Sequence, residues 1–162
     1  MNVINELERM SPLLILIYIC IGYLQGIESL EFLIGFGVNN LSNHFIKNYI
    51  FKPIIKNKKI PILGIGTRPK GAKSCGIIAD GKKSTSYGMP SGHAQTIGFF
   101  LADRLFGNYT MLYKIVISIV CIILITSRVR LNCHTPQQVI LGTLFGFVAF
   151  KVYLTISSMF VS

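Results

Sequence analysis

Residues 111–127 read MLYKIVISIVCIILITS, and the run from Ile115 to Ile125 is apolar except for one serine. Long apolar runs are typical of helices that cross a membrane, because lipid offers polar side chains no partners. Over all 162 residues, 51% are hydrophobic and only 14% are charged, against about 25% charged in soluble domains. The composition predicts a small polytopic membrane protein and argues against a soluble enzyme, a disordered tail or a disulfide-knot scaffold.

The rest of the chain predicts four more helices, at about 13–24, 31–51, 91–105 and 139–161. We therefore predict an all-α fold, a polytopic membrane bundle of about five helices in a single membrane-embedded domain, 1–162. Pro53 should end the second helix. Between about 53 and 89, six glycines, Pro61 and Pro69 indicate a long ordered loop, and such loops are often functional.

The first apolar segment, 13–24, has the length of the apolar part of a signal peptide. However, the residues before it carry no net positive charge, and no small-residue cleavage pattern follows it. We expect a retained first membrane helix rather than a cleaved leader.

Polar residues lie inside the second predicted helix, namely Asn39, Asn40, Asn43 and His44. At membrane depth they should face the bundle interior rather than lipid. In the last helix, Gly142 and Gly146 have the spacing that lets helices pack closely, although chance glycines in an apolar helix explain the spacing equally well.

The basic residues are concentrated in one region: ten of the 16 lie between positions 47 and 83, where Asp80 is the only acidic residue. They are Lys47, Lys52, Lys56, Lys58, Lys59, Arg68, Lys70, Lys73, Lys82 and Lys83. The region could contact anionic lipid headgroups or form a phosphate site. We expect no nucleic-acid partner, because apolar segments flank the region on both sides.

The four cysteines fall into two pairs. Cys20 and Cys121 lie in apolar runs and are expected to be buried or to face lipid. Cys75 and Cys133 lie in predicted loops and could form a disulfide if those loops meet in an oxidising lumen. No CxxC spacing is present, so the sequence does not predict a zinc site.

Three polar clusters interrupt the apolar pattern. They are Thr67-Arg68-Pro69, residues 87–93 (YGMPSGH) and residues 127–134 (SRVRLNCH). In the second cluster, Ser91 can cap a helix, and the free N–H groups at the start of that helix attract anions. Gly92 allows a ligand to come close to the backbone. His93 follows in the first turn of the helix. Taken alone, this cluster favours the simpler interpretation, a capping serine with a structural histidine.

The third cluster ends the apolar helix quoted above. Arg128 offers a planar fork of donors that fits phosphate oxygens, and His134 follows with five residues between. Taken alone, Arg128 could instead be a basic residue reaching lipid headgroups.

Together the three clusters resemble the signature of the type 2 phosphatidic acid phosphatase superfamily, over roughly residues 45–146. That superfamily includes membrane lipid phosphatases and shares its site fold with vanadium haloperoxidases. The residues around the second and third clusters, including Gln95 and Gln138, are similar to the dolichyl-diphosphatase branch.

The resemblance implies a role for each residue. His134 would be the nucleophile that forms a phosphohistidine, and His93 would be the general acid that protonates the leaving oxygen. Arg68, Ser91, Gly92 and Arg128 would hold the transferring phosphoryl group. Such chemistry needs no metal or cofactor, and the sequence has no carboxylate cluster to bind one.

The chain departs from the superfamily pattern in two places. The usual lysine seven residues before Arg68 is replaced by Pro61. We expect Lys52 to take its place. The alternatives are Lys58, Lys59, Lys70 and Lys73.

The second departure is at position 138, where the superfamily has an aspartate that orients the nucleophilic histidine and this chain has Gln138. An amide oxygen can accept the imidazole N–H, but it brings no negative charge.

These observations predict an integral membrane phosphatase acting on a lipid-linked phosphate or diphosphate, with a polyprenyl diphosphate as the favoured substrate. A phosphatidate or other lipid phosphate phosphatase is the alternative enzyme. A non-catalytic membrane protein that binds anionic headgroups is the alternative of another class. The positive-inside rule favours a cytosolic basic loop. The resemblance instead favours a site on the lumenal or outer face of the endoplasmic reticulum or a similar membrane. We follow the resemblance.

Overall fold

The computed structural model describes residues 2–56, 58–78 and 80–160 as a bundle of helices with one long loop. Its helices are α1 (Val3–Leu24), α2 (Leu30–Phe45), α3 (Lys52–Ile55), α4 (Gly92–Phe106), α5 (Met111–Arg130) and α6 (Pro136–Phe160). A π-helical segment, Ile46–Phe51, joins α2 to the single turn of α3. The predicted all-α architecture with about five helices is confirmed.

Helix α1 begins ten residues earlier than predicted, at Val3 rather than 13, and it contains a proline. The side chain of Asn2 accepts from the Ile4 N–H at 3.1 Å and caps the first turn. Pro12 cannot donate to the main-chain oxygen of Glu8. The hydroxyl of Ser11 donates to that oxygen instead, at 2.9 Å, so the helix continues through the proline.

Two other predicted boundaries also change. Pro53 does not end the second helix: it lies in the first turn of α3, where a missing N–H costs little, and the helical path continues to Ile55. Helix α5 continues past the predicted end at 127 to Arg130. The predicted end of the last helix at 161 lies outside the described residues.

Among the described residues, three helices are long and apolar enough to cross a membrane: Val3–Leu24, Met111–Arg130 and Pro136–Met159. Their large apolar side chains are widely exposed, as expected of surfaces that face lipid. Helix α4 has only 15 residues and is mostly enclosed by the other helices. Because α4 contacts mainly other helices rather than lipid, it can be shorter and more polar than a helix that contacts lipid.

Helices α4 and α6 touch along their backbones. A Cβ atom on Gly142 would lie 2.4 Å from the main-chain oxygen of Ser91, and one on Gly146 would lie 2.3 Å from that of Gln95. Gly98 of α4 is equally close to the backbone of Thr143. The close-packing interpretation of the α6 glycines is confirmed, and this contact fixes the start of α4.

Helix α2 presents a polar face to α4. Asn39 and Asn43 are buried, the Asn43 amide donates to Gln95 Oε1 at 2.8 Å, and Gln95 Nε2 donates to the Asn39 main-chain oxygen at 3.0 Å. The predicted inward orientation is confirmed for these two residues. It is wrong for His44, which is exposed because one residue is a rotation of about 100° on a helix. Asn40 is also exposed, but its Oδ1 accepts from the hydroxyl of Thr96 in α4.

The long loop closes one end of the bundle. It contains a two-stranded antiparallel sheet, β1 (Lys59–Ile60) with β2 (Gly64–Ile65), and a bridge between Lys73 and Lys83. A disulfide joins Cys75 of the loop to Cys133 after α5. The loop therefore lies over the start of α4 and the end of α5.

Candidate active site

The start of α4 is held in a precise position by its neighbours. Ser91 caps the helix, its hydroxyl accepting from the Ala94 N–H at 3.4 Å, and its own N–H donates to the main-chain oxygen of Gln138 at 3.0 Å. Ser91 is fully buried. The free N–H groups at this helix terminus favour a nearby negative charge.

The segment after α5 positions His134. The N–H groups of Cys133 and His134 both donate to the main-chain oxygen of Arg128, at 3.0 and 3.1 Å. In the ring of His134, Nδ1 lies 3.0 Å from Gln138 Oε1, and Nε2 lies 3.0 Å from Arg68 Nη1. His134 is 2% exposed, so these contacts hold the ring in one orientation.

The contacts of Gln138 assign the proton on His134. Gln138 Nε2 donates to the main-chain oxygens of Ile65 and Thr67 at 2.8 and 2.7 Å. The amide oxygen therefore faces the ring and accepts from Nδ1–H. The Nε2 lone pair of His134 then accepts from Arg68 Nη1, and Nε2 is the unprotonated nitrogen that could act as a nucleophile once a substrate takes this donor.

Arg68 reaches the same point from the loop. Besides contacting His134, its Nη1 donates to the main-chain oxygen of Cys133 at 2.9 Å. Its Nε and Nη2 donate to Ser86, with distances of 2.9 to 3.3 Å. The guanidinium is thus anchored on two sides next to the ring.

Arg128 is buried with unused donors. Its side chain is 0% exposed, and Nη2 donates to the main-chain oxygen of Cys75 at 2.9 Å. Nε and Nη1 have no hydrogen-bond partner among the residues that the structure describes. Two buried open donors on a charged group are costly. Nη1–H, together with the second proton of Nη2, forms a fork that suits an anion such as phosphate.

His93 lies in the first turn of α4, and its Nε2 is 2.9 Å from the main-chain oxygen of Arg9. The charges of Arg128, Arg68 and Lys47 all act on it. The same three charges act on His134. The two imidazoles predicted from the sequence therefore lie in one positively charged region, in which His134 is buried and His93 is half-buried.

Burial and the nearby positive charges disfavour the protonated forms of both imidazoles. The pKa of His93 is lowered to about 3, first by burial and then by the charge of Arg128. Burial, followed by the charge of Arg68, also holds the pKa of His134 well below its usual value. Both imidazoles are therefore neutral at pH 7 when no anion is bound, and a bound phosphate would raise both pKa values.

The lysine in this region is Lys47, which sequence analysis did not single out. Its pKa is lowered to about 8 by burial and then by the charge of Arg68. Lys52, the expected candidate, lines a cavity beside Arg68 instead. A signal for Lys47 was present, because Asn39, Asn43 and Lys47 are spaced by four and so share one face of a helix.

Gly92 allows the start of α4 to approach α2. A Cβ atom at this position would lie 2.9 Å from Oδ1 of Asn43, and Asn43 is held by its hydrogen bond to Gln95. The absence of a side chain at Gly92 therefore permits this packing. We expected the glycine to let a ligand approach the backbone, and that role stays a prediction.

The disulfide supports both arginines. Cys75 and Cys133 are buried, with Cα atoms 5.4 Å apart. The main-chain oxygen of Cys75 accepts from Arg128, and that of Cys133 accepts from Arg68. The pairing considered from the sequence is present and holds together the two segments that carry these contacts.

Comparison with known proteins gives a match to a family model. No curated protein and no solved structure matches the chain significantly. The sequence model of the PAP2 superfamily matches residues 28–161, most of the chain, including Lys47, Arg68, His93, Arg128 and His134. The match implies a phosphatase of lipid or related phosphates. The chain belongs to the PAP2 superfamily.

Proposed function

We propose that this protein is an integral membrane phosphatase that removes the terminal phosphate of a polyprenyl diphosphate through a phosphohistidine at His134. The observation that carries the proposal is the buried guanidinium of Arg128, which has two donors without a hydrogen-bond partner among the described residues. Such donors favour a bound anion, and two neutral imidazoles lie in the same region. A phosphoryl group would satisfy those donors and offset the positive charge of Arg68 and Lys47.

In the first step, His134 Nε2 attacks phosphorus, and the N–P bond forms as the P–O bond to the leaving group breaks. His93, protonated once the negative substrate is bound, gives its proton to the leaving oxygen. Arg68, Arg128 and the capped end of α4 at Ser91 stabilise the charge on the equatorial oxygens. In the second step, water loses a proton to His93 and breaks the N–P bond, which releases inorganic phosphate.

The loop cavity supports a diphosphate substrate. A space of about 700 Å³ lies beside Arg68 and is lined by Lys52, Lys70 and Lys83. One phosphate needs only the buried site, so the additional cations are available to a second phosphate. We expect Lys52 to contribute here rather than at the reacting phosphorus.

A groove between α2 and α6 supports a long apolar tail. It encloses about 860 Å³, and its lining includes Ile46, Val38, Phe145, Val148 and Ile156. Ile46 precedes Lys47, so the groove begins near the charged site and follows the helices toward the opposite end of the bundle. An isoprenoid chain in this groove would place its phosphates at the loop.

The disulfide supports a site on the lumenal or outer face. Disulfides persist in oxidising compartments and are rare in the cytosol. Cys75 and Cys133 lie at the same end as the candidate site, so that end would face the lumen of the endoplasmic reticulum or an equivalent space.

The proposed substrate is tested by measuring phosphate release from purified protein in detergent. The panel is a prenyl diphosphate, the matching prenyl monophosphate, phosphatidate and diacylglycerol diphosphate. We expect the prenyl diphosphate to have the highest kcat/KM. Faster release from phosphatidate would favour a general lipid phosphate phosphatase, and binding to anionic vesicles without any release would favour a non-catalytic role.

The contact between Gln138 and His134 should affect turnover. We expect Gln138→Ala to lower kcat by at least about tenfold, because the imidazole loses the acceptor that fixes its tautomer. Gln137→Ala is the matched control, since that neighbouring side chain is exposed and should keep nearly full kcat. Unchanged kcat in Gln138→Ala would remove Gln138 from the mechanism.

The disulfide should contribute to both stability and activity. It closes a loop with a sequence separation of 58, so replacing Cys75 and Cys133 together by alanine should lower the free energy of unfolding by about 2–4 kcal/mol. Turnover should fall at least about threefold, because both arginines lose rigid main-chain acceptors. A reductant should inhibit wild type and Cys20→Ala but not the double variant; equal inhibition of all three would contradict this role.

A further inference from the structure

Helix α1 lies outside residues 28–161, the part of the chain that matches the PAP2 superfamily. Its second turn nevertheless contacts the candidate active site. The main-chain oxygen of Arg9 lies 2.9 Å from His93 Nε2. A carbonyl oxygen can only accept a hydrogen bond, so this contact places the imidazole proton of neutral His93 on Nε2.

Two side-chain contacts hold this turn of α1 against the site. Arg9 Nη1 donates to the main-chain oxygen of Ser74 in the loop, and Glu8, which is 6% exposed, pairs with Arg130 at the end of α5. The side chain of Arg9 is 13% exposed. Glu6 Oε1 lies 3.9 Å from Arg9 Nε.

We propose that Arg9 is a positioning residue for the general acid: its main-chain oxygen orients His93, and its side chain, bound to Ser74, keeps that oxygen in place. The inference rests on the proposed phosphatase reaction. A carbonyl oxygen at this position stabilises the imidazolium, as the carboxylate of a catalytic triad does. The effect is weaker, because the carbonyl oxygen has only a partial negative charge.

The contact also decides which nitrogen delivers the proton. Because Nε2–H is bound to Arg9, the proton that reaches the leaving oxygen must come from Nδ1 of His93. As the P–O bond breaks, its electron pair takes that proton, and His93 returns to the neutral Nε2–H form. The attacking water of the second step then gives its proton back to Nδ1.

The first experiment needs no variant of Arg9. ¹⁵N spectra of the imidazoles, assigned with His93→Asn and His44→Asn, give the tautomer of His93 in the full-length protein at pH 7. We expect protonated Nε2 and unprotonated Nδ1. A His93 that carries its proton on Nδ1 would overturn the proposal whatever the activity.

The second experiment compares Arg9→Ala, Arg9→Lys and the control Glu6→Gln. In Arg9→Ala we expect a mixture of His93 tautomers and a kcat about tenfold lower, with KM changed less than twofold. Arg9→Lys can still donate to Ser74 and should recover most of the loss, while Glu6→Gln should match wild type. A single Nε2–H tautomer with wild-type kcat in Arg9→Ala would overturn the proposal.

Assaying His134→Asn in parallel separates the proposed phosphatase mechanism from the proposed role of Arg9. If His134→Asn retains turnover, the proposed phosphatase mechanism is wrong, whereas the tautomer of His93 still tests the contact with Arg9. If His134→Asn is inactive and Arg9→Ala behaves as wild type, the phosphatase proposal stands and the role of Arg9 is rejected.

Discussion

His134→Asn should lower phosphate release by at least about a thousandfold, because the variant lacks the imidazole that we propose attacks phosphorus. The fold should survive the change. Arg68 keeps its contacts with Ser86, and Gln138 keeps its bonds to the main chain of Ile65 and Thr67. The measurement is the kcat of purified protein, with thermal unfolding recorded alongside.

The matched control for this variant is His44→Asn. His44 is exposed on α2, where its ring contacts Asn48 at 3.2 Å, so the replacement should leave kcat within about twofold of wild type. Comparable losses in the two variants would mean that histidine replacement damages the protein in general, and the assignment of the nucleophile would then lose its support.

Arg128→Gln should lower kcat/KM by at least about a hundredfold, because two donors to the phosphoryl oxygens and one full charge are removed. Arg128→Lys keeps the charge but not the planar fork and should fall between wild type and Arg128→Gln. Lys82→Ala, which removes an exposed loop cation, is the control and should stay close to wild type.

Thermal stability distinguishes a functional Arg128 from a structural one. A buried guanidinium with two open donors destabilises the empty protein, so Arg128→Gln should be at least as stable as wild type in the absence of anions. Inorganic phosphate should raise the Tm of wild type and not that of Arg128→Gln. Parallel losses of activity and stability, with phosphate stabilising both proteins, would indicate a structural role.

Much of the site could be predicted because its residues occupy helix ends and loops with specific chemistry. Ser91 and His93 start α4, whereas Arg128 and His134 lie at the end of α5, and two consecutive antiparallel helices bring those positions to the same end of the bundle. The apolar runs likewise predicted the helices, since lipid-facing segments permit few polar residues.

Three features of the structure were not predicted from the sequence: the length of α1, the position of Lys47 and the contact of Arg9 with His93. The length of α1 depends on Ser11 satisfying the carbonyl that Pro12 leaves free, a compensation that the proline itself does not signal. The position of Lys47 near Arg68 depends on the π-helical segment that follows α2, and the residue types do not signal that segment. The contact of Arg9 with His93 uses a main-chain oxygen, which every residue carries, so no residue type could have indicated it.

We expect His134 to carry the phosphoryl group between two half-reactions. Rapid acid-free quenching of the protein with prenyl diphosphate labelled in its terminal phosphate, followed by peptide mapping, tests it most directly. We predict base-stable, acid-labile label on the peptide containing His134, present in wild type and absent from His134→Asn. Label on His93 or on any other residue, or continued turnover by His134→Asn, would contradict the account.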